Sequence, residues 1–192
     1  MKNAKELMLE YTASSNESGE HSRKEKLTNN VNEKNKQLVL DAKTLLLEFL
    51  AAITHGQDAA ALFAEDGAVE LPFLHSVGIP WRHRGRRAIS ELQGSLGGLY
   101  LDFAFKPEDT RVLIDTPEQV FAEYMAHTTA AATGRTIHHL FAARLVAENG
   151  RIKLLRESLN PVAVAQALLP GGVKDLPDPE RVIFSVPPDY RS

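Results

Sequence analysis

A change in the spacing of apolar residues near residue 100 constrains the fold of this chain more than any other feature. Between residues 39 and 53 apolar side chains recur every three or four positions, which is the spacing of an amphipathic helix. After residue 100 apolar and polar residues alternate, as they do in half-buried strands. Gly134 and Asn149-Gly150 fall between alternating segments and suit hairpin turns, which need positive φ. Strands joined by such turns are antiparallel, so the second half of the chain predicts an antiparallel meander.

The order of the predicted elements indicates the fold class. Strands are predicted over 68–73, 101–105, 111–115, 119–129, 136–146 and 151–159. Helices are predicted over 39–53, 58–63, 86–96 and 162–169. Helices gathered at one end of a chain cover one face of a sheet, which makes the fold class α+β. We expect a cone-shaped, strongly curved antiparallel sheet with about three helices packed on its concave face and a short C-terminal helix. Such a cone encloses an apolar pocket, the usual kind of small-molecule site.

Composition divides the 192 residues into three parts. Residues 1–37 are polar almost throughout and are expected to be a disordered leader, because they bury too little surface to offset their ordering entropy. Residues 38–169 carry the apolar patterns and are expected to form the folded domain. Residues 170–192 are rich in proline and are expected to be an extended tail.

Charge and cysteine content exclude several classes of protein. The chain has no cysteine, which excludes disulfides, a thiol nucleophile and thiolate-bound metals. A net charge of −3 provides no overall basic field for nucleic acid or an anionic membrane, so neither partner is expected. No apolar run approaches the ~18 residues of a membrane span, and the start of the sequence lacks the apolar core of a secretory signal. A cytoplasmic location is therefore expected.

Three segments resemble a known superfamily when they are taken in order. They are LFAEDGAVELPF at 62–73, GRRAISEL at 85–92 and AENGRIKLLRESLNP at 147–161. They resemble the nuclear-transport-factor-two-like (NTF2-like) superfamily, above all its SnoaL-like polyketide cyclase and ketosteroid isomerase relatives. The resemblance covers about residues 38–169. It implies a hydrophobic pocket, chemistry without a cofactor or metal, and pairing of two copies.

The catalytic positions of two groups of relatives are mostly apolar in this chain. Three ketosteroid isomerase positions, for the general base and the two oxyanion-hole groups, match Leu71, Phe49 and Phe141, none of which can exchange a proton. The three key positions of limonene-epoxide-hydrolase-like enzymes match Tyr124, Ala126 and Glu157. The resemblance therefore implies neither of these two reactions.

Glu157 is the strongest candidate for acid–base chemistry. The segment RIKLLRESLNP resembles the PhzA/PhzB-like phenazine-biosynthesis members, in which the matching Glu faces the pocket and takes part in acid–base catalysis; their key His matches Leu92. Strand alternation places His139 and Tyr124 on the same side of the sheet as Glu157. We therefore predict Glu157, His139 and Tyr124 as the catalytic residues. The predicted pocket lining is Phe49, Val69, Leu71, Trp81, His83, Ala126, Phe141 and Leu155.

Each candidate also has a structural interpretation. Glu157 can instead pair with Arg82, Arg84 or Arg86, His139 can be a hydrogen-bonded core histidine, and Tyr124 can be a wall residue. The basic run 82–87 suits either a solvated helix entry or recognition of an anion at a helix N-terminus. His138 and His139 cannot chelate a metal together, because neighbouring strand residues face opposite ways, and no metal site is predicted.

Two hypotheses of function follow. The first is a SnoaL-like enzyme of the cyclase or isomerase type, which acts on a hydrophobic ketone or polyketide-like intermediate by acid–base catalysis. The second is a non-catalytic module that binds an apolar ligand or uses its sheet for dimerisation. Both predict a small hydrophobic molecule as partner. Both also predict a homodimer through the outer face of the sheet, where Met125, His127, Leu140 and Ala142 lie.

Overall fold

The predicted meander forms the centre of a seven-stranded curved sheet. A computed structural model describes residues 40–176, so the predicted leader and the part of the predicted tail after residue 176 lie outside the described residues. The strands are β1 (Phe63–Glu70), β2 (Arg82–Arg84), β3 (Ala104–Phe105), β4 (Arg111–Asp115), β5 (Gln119–Thr129), β6 (Thr136–Glu148) and β7 (Arg151–Ser158). The α-helices are α1 (Ala42–Thr54), α2 (Arg86–Leu99) and α3 (Pro161–Leu168), and short 3-10 turns connect several of these elements.

The sheet confirms the α+β fold and differs from the expectation in one pair of strands. Its order is β2-β1-β7-β6-β5-β3, and β4 pairs with the first half of β5. All pairs are antiparallel except β1 and β7, which run parallel, so the sheet is mixed. Hairpin turns determine the direction of β5, β6 and β7, whereas β1 and β7 are distant in sequence and no turn relates them.

Strand β1 is bent by a glycine. The register between β1 and β7 shifts between Phe63 and Ala68, and Gly67 lies inside this irregularity. A Cβ atom at Gly67 would lie 2.7 Å from the carbonyl oxygen of Ile152, so a side chain there would displace backbone. The strand therefore begins five residues earlier than the predicted Ala68 and ends at Glu70, where a 3-10 turn over Pro72–Val77 replaces the predicted strand end.

The helices cover the concave face of the sheet. Asp41 caps α1 by accepting a hydrogen bond from the backbone N–H of Thr44 at 2.7 Å. Leu45, Leu46, Phe49 and Leu50 of α1 are buried against the sheet. The predicted second helix is a 3-10 turn over Ala59–Leu62, with Asp58 as its cap. None of the helices within residues 40–176 is both long and apolar enough to cross a membrane.

A buried carboxylate joins three strands on the convex face. Glu70 of β1 lies opposite Arg82 of β2 and Arg156 of β7, and its side chain is 3% exposed. The Nε of Arg82 donates to one carboxylate oxygen at 2.9 Å, and the Nε of Arg156 donates to the other at 2.6 Å. The guanidinium of Arg82 also lies 4.5 Å from the centre of the Trp81 ring. This cluster holds the edge strand β2 and the parallel strand β1 to the meander.

The cluster leads to a prediction about stability. Removing one partner of a buried ion pair leaves an uncompensated charge, so Glu70→Ala should lower the free energy of unfolding by roughly 3 kcal/mol. Chemical denaturation at neutral pH measures the loss. Glu91→Ala is the matched control, because Glu91 and its partner Arg87 are both largely exposed and their pair should contribute nothing measurable. Equal stabilities of the two variants would contradict the prediction.

Candidate functional site

A cavity of about 140 Å³ lies between the concave face of the sheet and the helices. Apolar side chains from α1, α2, α3 and the sheet line most of it. The described groups that interrupt this apolar wall with chemistry-bearing side chains are Glu157, His139, Tyr100, Gln93 and Ser95. The cavity is therefore a place where an apolar molecule would meet a small number of polar groups.

The structure places the predicted pocket residues in two groups. Phe49, Val69, Leu71 and Phe141 line the cavity, together with Glu157 and His139. Of the predicted lining residues, Trp81, His83, Ala126 and Leu155 do not line it, and the predicted catalytic residue Tyr124 is fully buried behind the wall.

Burial and location explain why these four residues are not in the wall. Ala126 and Leu155 face the concave side but are completely buried in the core, where Ala126 lies opposite Phe105 in the β3–β5 pair. Trp81 and His83 lie at the β2 edge of the sheet; the carbonyl oxygen of Trp81 accepts from the backbone N–H of Leu71 at 2.6 Å.

Tyr124 and Glu157 form a buried hydrogen bond that crosses the meander. They lie on β5 and β7, with β6 between them, and the Tyr124 hydroxyl donates to Oε1 of Glu157. The Tyr124 ring is stacked on Phe141 at 5.5 Å and packs edge-on against Phe105 at 5.3 Å. This aromatic packing holds the phenol in place, so the hydroxyl position is determined by the sheet and not by solvent.

Burial changes the acidity of both groups in the same direction. It raises the pKa of Glu157 from 4.5 to about 7, although the hydrogen bond from Tyr124 acts the other way. Burial, and then the nearby Glu157 carboxylate, raise the pKa of Tyr124 well above 10. Tyr124 therefore stays a neutral donor, while Glu157 can exchange a proton near neutral pH.

The structure does not support an arginine partner for Glu157. Arg82 binds Glu70, and Arg86 binds Glu65 at 2.6 Å and the carbonyl oxygen of Phe63 at 2.8 Å. Arg84 is exposed on the edge strand β2. Arg82 and Arg86 pair with Glu70 and Glu65 of β1, so these two residues of the basic run connect β2 and the start of α2 to that strand.

His139 is a buried imidazole with an unpaired nitrogen. The residue is 3% exposed, and its ring packs against Tyr100 at 6.3 Å and Phe141 at 5.9 Å. Burial lowers the pKa of His139 from 6.5 to about 4, so the ring is neutral at neutral pH. Within residues 40–176 its Nε2 has no hydrogen-bond partner. His139 is therefore buried in the core without being fully hydrogen-bonded, in contrast to its structural interpretation.

The sequence analysis missed three polar residues of the cavity wall, Gln93, Ser95 and Tyr100. Gln93 occupies an inward position of α2, since Ile89 lies four residues before it and Leu96 three residues after it on the same face. Its polarity within this apolar stripe was a usable signal. Tyr100 follows the last residue of α2, and burial raises its pKa to about 12.

No metal centre is evident in the described part of the chain. Within residues 40–176 no group of three or more histidine, aspartate or glutamate side chains is placed to hold a metal ion. On the outer face His127 and His138 lie directly opposite each other on β5 and β6, and their Nδ1 atoms are in contact. The neighbours predicted to face away from each other, His138 and His139, do so: the first is exposed and the second is buried.

Comparison with known proteins relates this geometry to a fold. No protein-family model and no curated protein matches the sequence. Among solved structures 205 chains match. A candidate isomerase from Bacillus subtilis is 23% identical, with a TM-score of 0.60, over 68% of this chain and 93% of that chain.

Two further solved structures have related names. The phenazine biosynthesis-related protein of Pseudomonas aeruginosa is 19% identical, with a TM-score of 0.55, over 66% of this chain and 80% of that one. A candidate polyketide cyclase from Pseudomonas putida is 18% identical, with a TM-score of 0.57, over 67% and 98%. At these identities the likeness concerns the fold, and it confirms the predicted resemblance at that level: the chain has the NTF2-like fold that SnoaL-like and ketosteroid-isomerase-like proteins share.

Proposed function

We propose that this protein is a cofactor-independent enzyme of the cyclase or isomerase type that acts on a small hydrophobic ketone or polyketide-like intermediate. The observation that carries the proposal is the Glu157 carboxyl group, which lines an apolar cavity, is held by Tyr124 and has a pKa of about 7. A base of this strength is about half deprotonated at neutral pH, so it can both take and return a proton. The names of the structural neighbours support the same class of chemistry.

The polar groups of the cavity suit proton transfer next to a carbonyl. Tyr124 occupies Oε1 of Glu157, and within residues 40–176 no hydrogen bond reaches Oε2. In the proposed reaction Oε2 accepts a proton from the carbon beside the ketone, the electron pair of that C–H bond forms an enolate, and Glu157 returns the proton to another carbon. The neutral His139 donates from Nε2 to the enolate oxygen. Tyr124 touches Glu157 and acts as a positioning residue.

A second candidate is a ligand-binding module without catalysis. Leu71, Phe49 and Phe141 line the cavity at positions where the resemblance to ketosteroid isomerases would require proton-exchanging or oxyanion-stabilising groups. An apolar wall of this kind is sufficient to bind a hydrophobic molecule. Under this alternative Glu157 would tune affinity and would not transfer protons.

Hydrogen–deuterium exchange at the methyl group of acetophenone distinguishes these two functions. We expect the protein to accelerate this exchange in D₂O, measured by proton NMR, with a rate that rises with pH through about 7. Glu157→Gln keeps the shape of the side chain and removes the base, so it should reduce the catalysed rate by roughly 10²-fold or more while acetophenone still binds.

Glu91→Gln, at an exposed position on α2, is the matched control and should keep the full rate. Exchange that persists in Glu157→Gln would overturn the catalytic role of Glu157. Binding of acetophenone without any accelerated exchange in the unmodified protein would favour the binding module.

The two shifted pKa values also make a prediction about stability. The pKa of Glu157 is raised on folding, so its contribution to the free energy of unfolding is complete below pH 4.5 and is lost as pH rises to about 7. The pKa of His139 is lowered on folding, so its contribution is complete above pH 6.5 and is lost as pH falls to about 4. Each contribution amounts to roughly 3 kcal/mol, and the two oppose each other between pH 4.5 and 6.5.

Single substitutions should separate these opposing effects. Across pH 4.5–6.5 we expect Glu157→Gln to become more stable relative to the unmodified protein as pH rises. The unmodified protein loses the Glu157 contribution over this interval, whereas the variant keeps only the His139 contribution. His139→Gln should become relatively less stable over the same interval. Chemical denaturation at several pH values measures both differences, and two parallel profiles would contradict the shifted pKa values.

We further propose that two copies of this chain pair through the outer face of the sheet. Leu140 of β6 is 52% exposed and Ile114 of β4 is 63% exposed. Met125 lies directly opposite Leu140, Ala142 lies two residues from Leu140 on β6, and both are half-buried. This strip is apolar for a face that would otherwise meet water. Leu140→Glu should therefore shift the protein from dimer to monomer in sedimentation velocity at micromolar concentration, with Leu101→Glu, on an exposed connection before β3, as control. A monomeric unmodified protein would overturn the proposal.

A further inference from the structure

A second, more polar cleft of about 410 Å³ lies directly beside the apolar cavity. Five residues line both spaces: Ile53, Gln93, Leu96, Tyr100 and Phe103. The cleft continues from them between the end of α1 and the second half of α2, where Gln57, Asp58 and Ser90 contribute polar groups. The two spaces are therefore neighbours, and these five side chains lie where they meet.

Glycines on one side of α2 keep this cleft open. Ser90, Gly94 and Gly97 recur along the helix face that lines the cleft. A Cβ atom at Gly94 or Gly97 would meet nothing within 4 Å. The space beside both glycines is therefore empty of protein atoms, although glycine weakens a helix interior. Gly98 has equally open surroundings but does not line the cleft.

Gln93 presents an unused donor where the two spaces meet. Its Oε1 accepts a hydrogen bond from the backbone N–H of Ala59 at 3.2 Å, which fixes the orientation of the amide. Its Nε2 is buried and has no hydrogen-bond partner within residues 40–176. A buried amide donor is unfavourable without an acceptor, and a ligand carbonyl at this point would provide one.

We propose that the ligand of this protein is amphipathic, with its apolar ketone end in the inner cavity and a neutral polar extension in the cleft beside Gly94 and Gly97. An acceptor near the start of the extension would bind Nε2 of Gln93. Among the described residues that line the cleft there is a carboxylate, Asp58, and no lysine or arginine, so the extension is not anionic. The inference rests on the proposed function, because the inner cavity must hold the ketone end.

Two probes that differ in the extension test the proposal. Acetophenone represents the inner end alone, and 4-acetyl-N-(2-hydroxyethyl)benzamide adds a neutral amide and a hydroxyl. We expect the longer probe to bind the unmodified protein about tenfold more tightly, as measured by calorimetry or NMR titration. Gly94→Leu fills the cleft and should abolish this advantage while acetophenone binding stays within twofold.

Two further variants provide a control for the Gly94 substitution and a test of the Gln93 donor. Gly98→Leu makes the same change on the same helix outside the cleft, so it should keep the tenfold advantage. Gln93→Glu keeps the acceptor for Ala59 and removes the Nε2 donor, so within this variant the longer probe should lose its affinity advantage over acetophenone. Thermal melting checks that all variants are folded; leucine in place of glycine favours the helix.

The outcomes separate this inference from the proposed function. If acetophenone binds and the longer probe gains nothing, or gains equally in Gly94→Leu, the amphipathic ligand is overturned and the proposed function stands. If the longer probe keeps its advantage in Gln93→Glu, the role of Gln93 is overturned. If neither probe binds the unmodified protein, both the proposed function and this inference are overturned.

Discussion

The curvature of the three long strands β5, β6 and β7 determines where chemistry can occur in this protein. Their concave side chains are mostly apolar and must be covered, and α1 and α2 cover them with Leu45, Phe49 and Ile89. A straight helix cannot follow a strongly curved sheet along its whole length, so a cavity remains between the two layers. Glu157 and His139 face this cavity and are removed from water. The altered acidity of Glu157 and His139 is a direct consequence.

Two buried carboxylates on neighbouring strands illustrate how strand alternation separates structure from chemistry. Glu70 faces the convex side, where Arg82 and Arg156 neutralise it. Glu157 follows Arg156 directly in sequence, yet it faces the concave side and meets the phenol of Tyr124. Because neighbouring strand residues point to opposite faces, the cation of Arg156 is not available to Glu157. Glu70 therefore joins strands of the sheet, whereas Glu157 has a pKa of about 7.

Strand alternation also explains which parts of the site were predictable from the sequence. Tyr124 and His139 were placed correctly on the concave face because β5 and β6 pair without irregularity along the whole length of β5. Leu155 has the right orientation but lies too deep in the core to line the cavity, and alternation carries no information about depth. The partner of Glu157 is a related case: the sequence left an arginine open as an alternative, because the bond to Tyr124 reaches across β6 and pairing registers alone do not reveal such a reach.

Other elements were less predictable because no local rule determines them. Trp81 lies in the connection before β2 and His83 lies in β2 itself, and neither segment shows a periodic pattern of apolar residues. The parallel pairing of β1 with β7 depends on distant residues, and the bend at Gly67 depends on the backbone of Ile152. Gln93 was overlooked although its position in the apolar stripe of α2 was readable. The structure shows that this position matters, since the amide is fixed on one side and unpaired on the other.

The polar groups of the cavity are all neutral at slightly acid pH, and this state follows from burial alone. Burial raises the pKa of an acid and lowers that of a base, so Glu157 holds its proton while His139 lacks one. A neutral site admits a neutral ligand without separating charges in an apolar wall. A negative charge forms on Glu157 only when pH passes about 7, and Tyr124 is already placed to hydrogen-bond it. The site thus combines an apolar surface suited to a neutral molecule with one group whose charge can change near neutral pH.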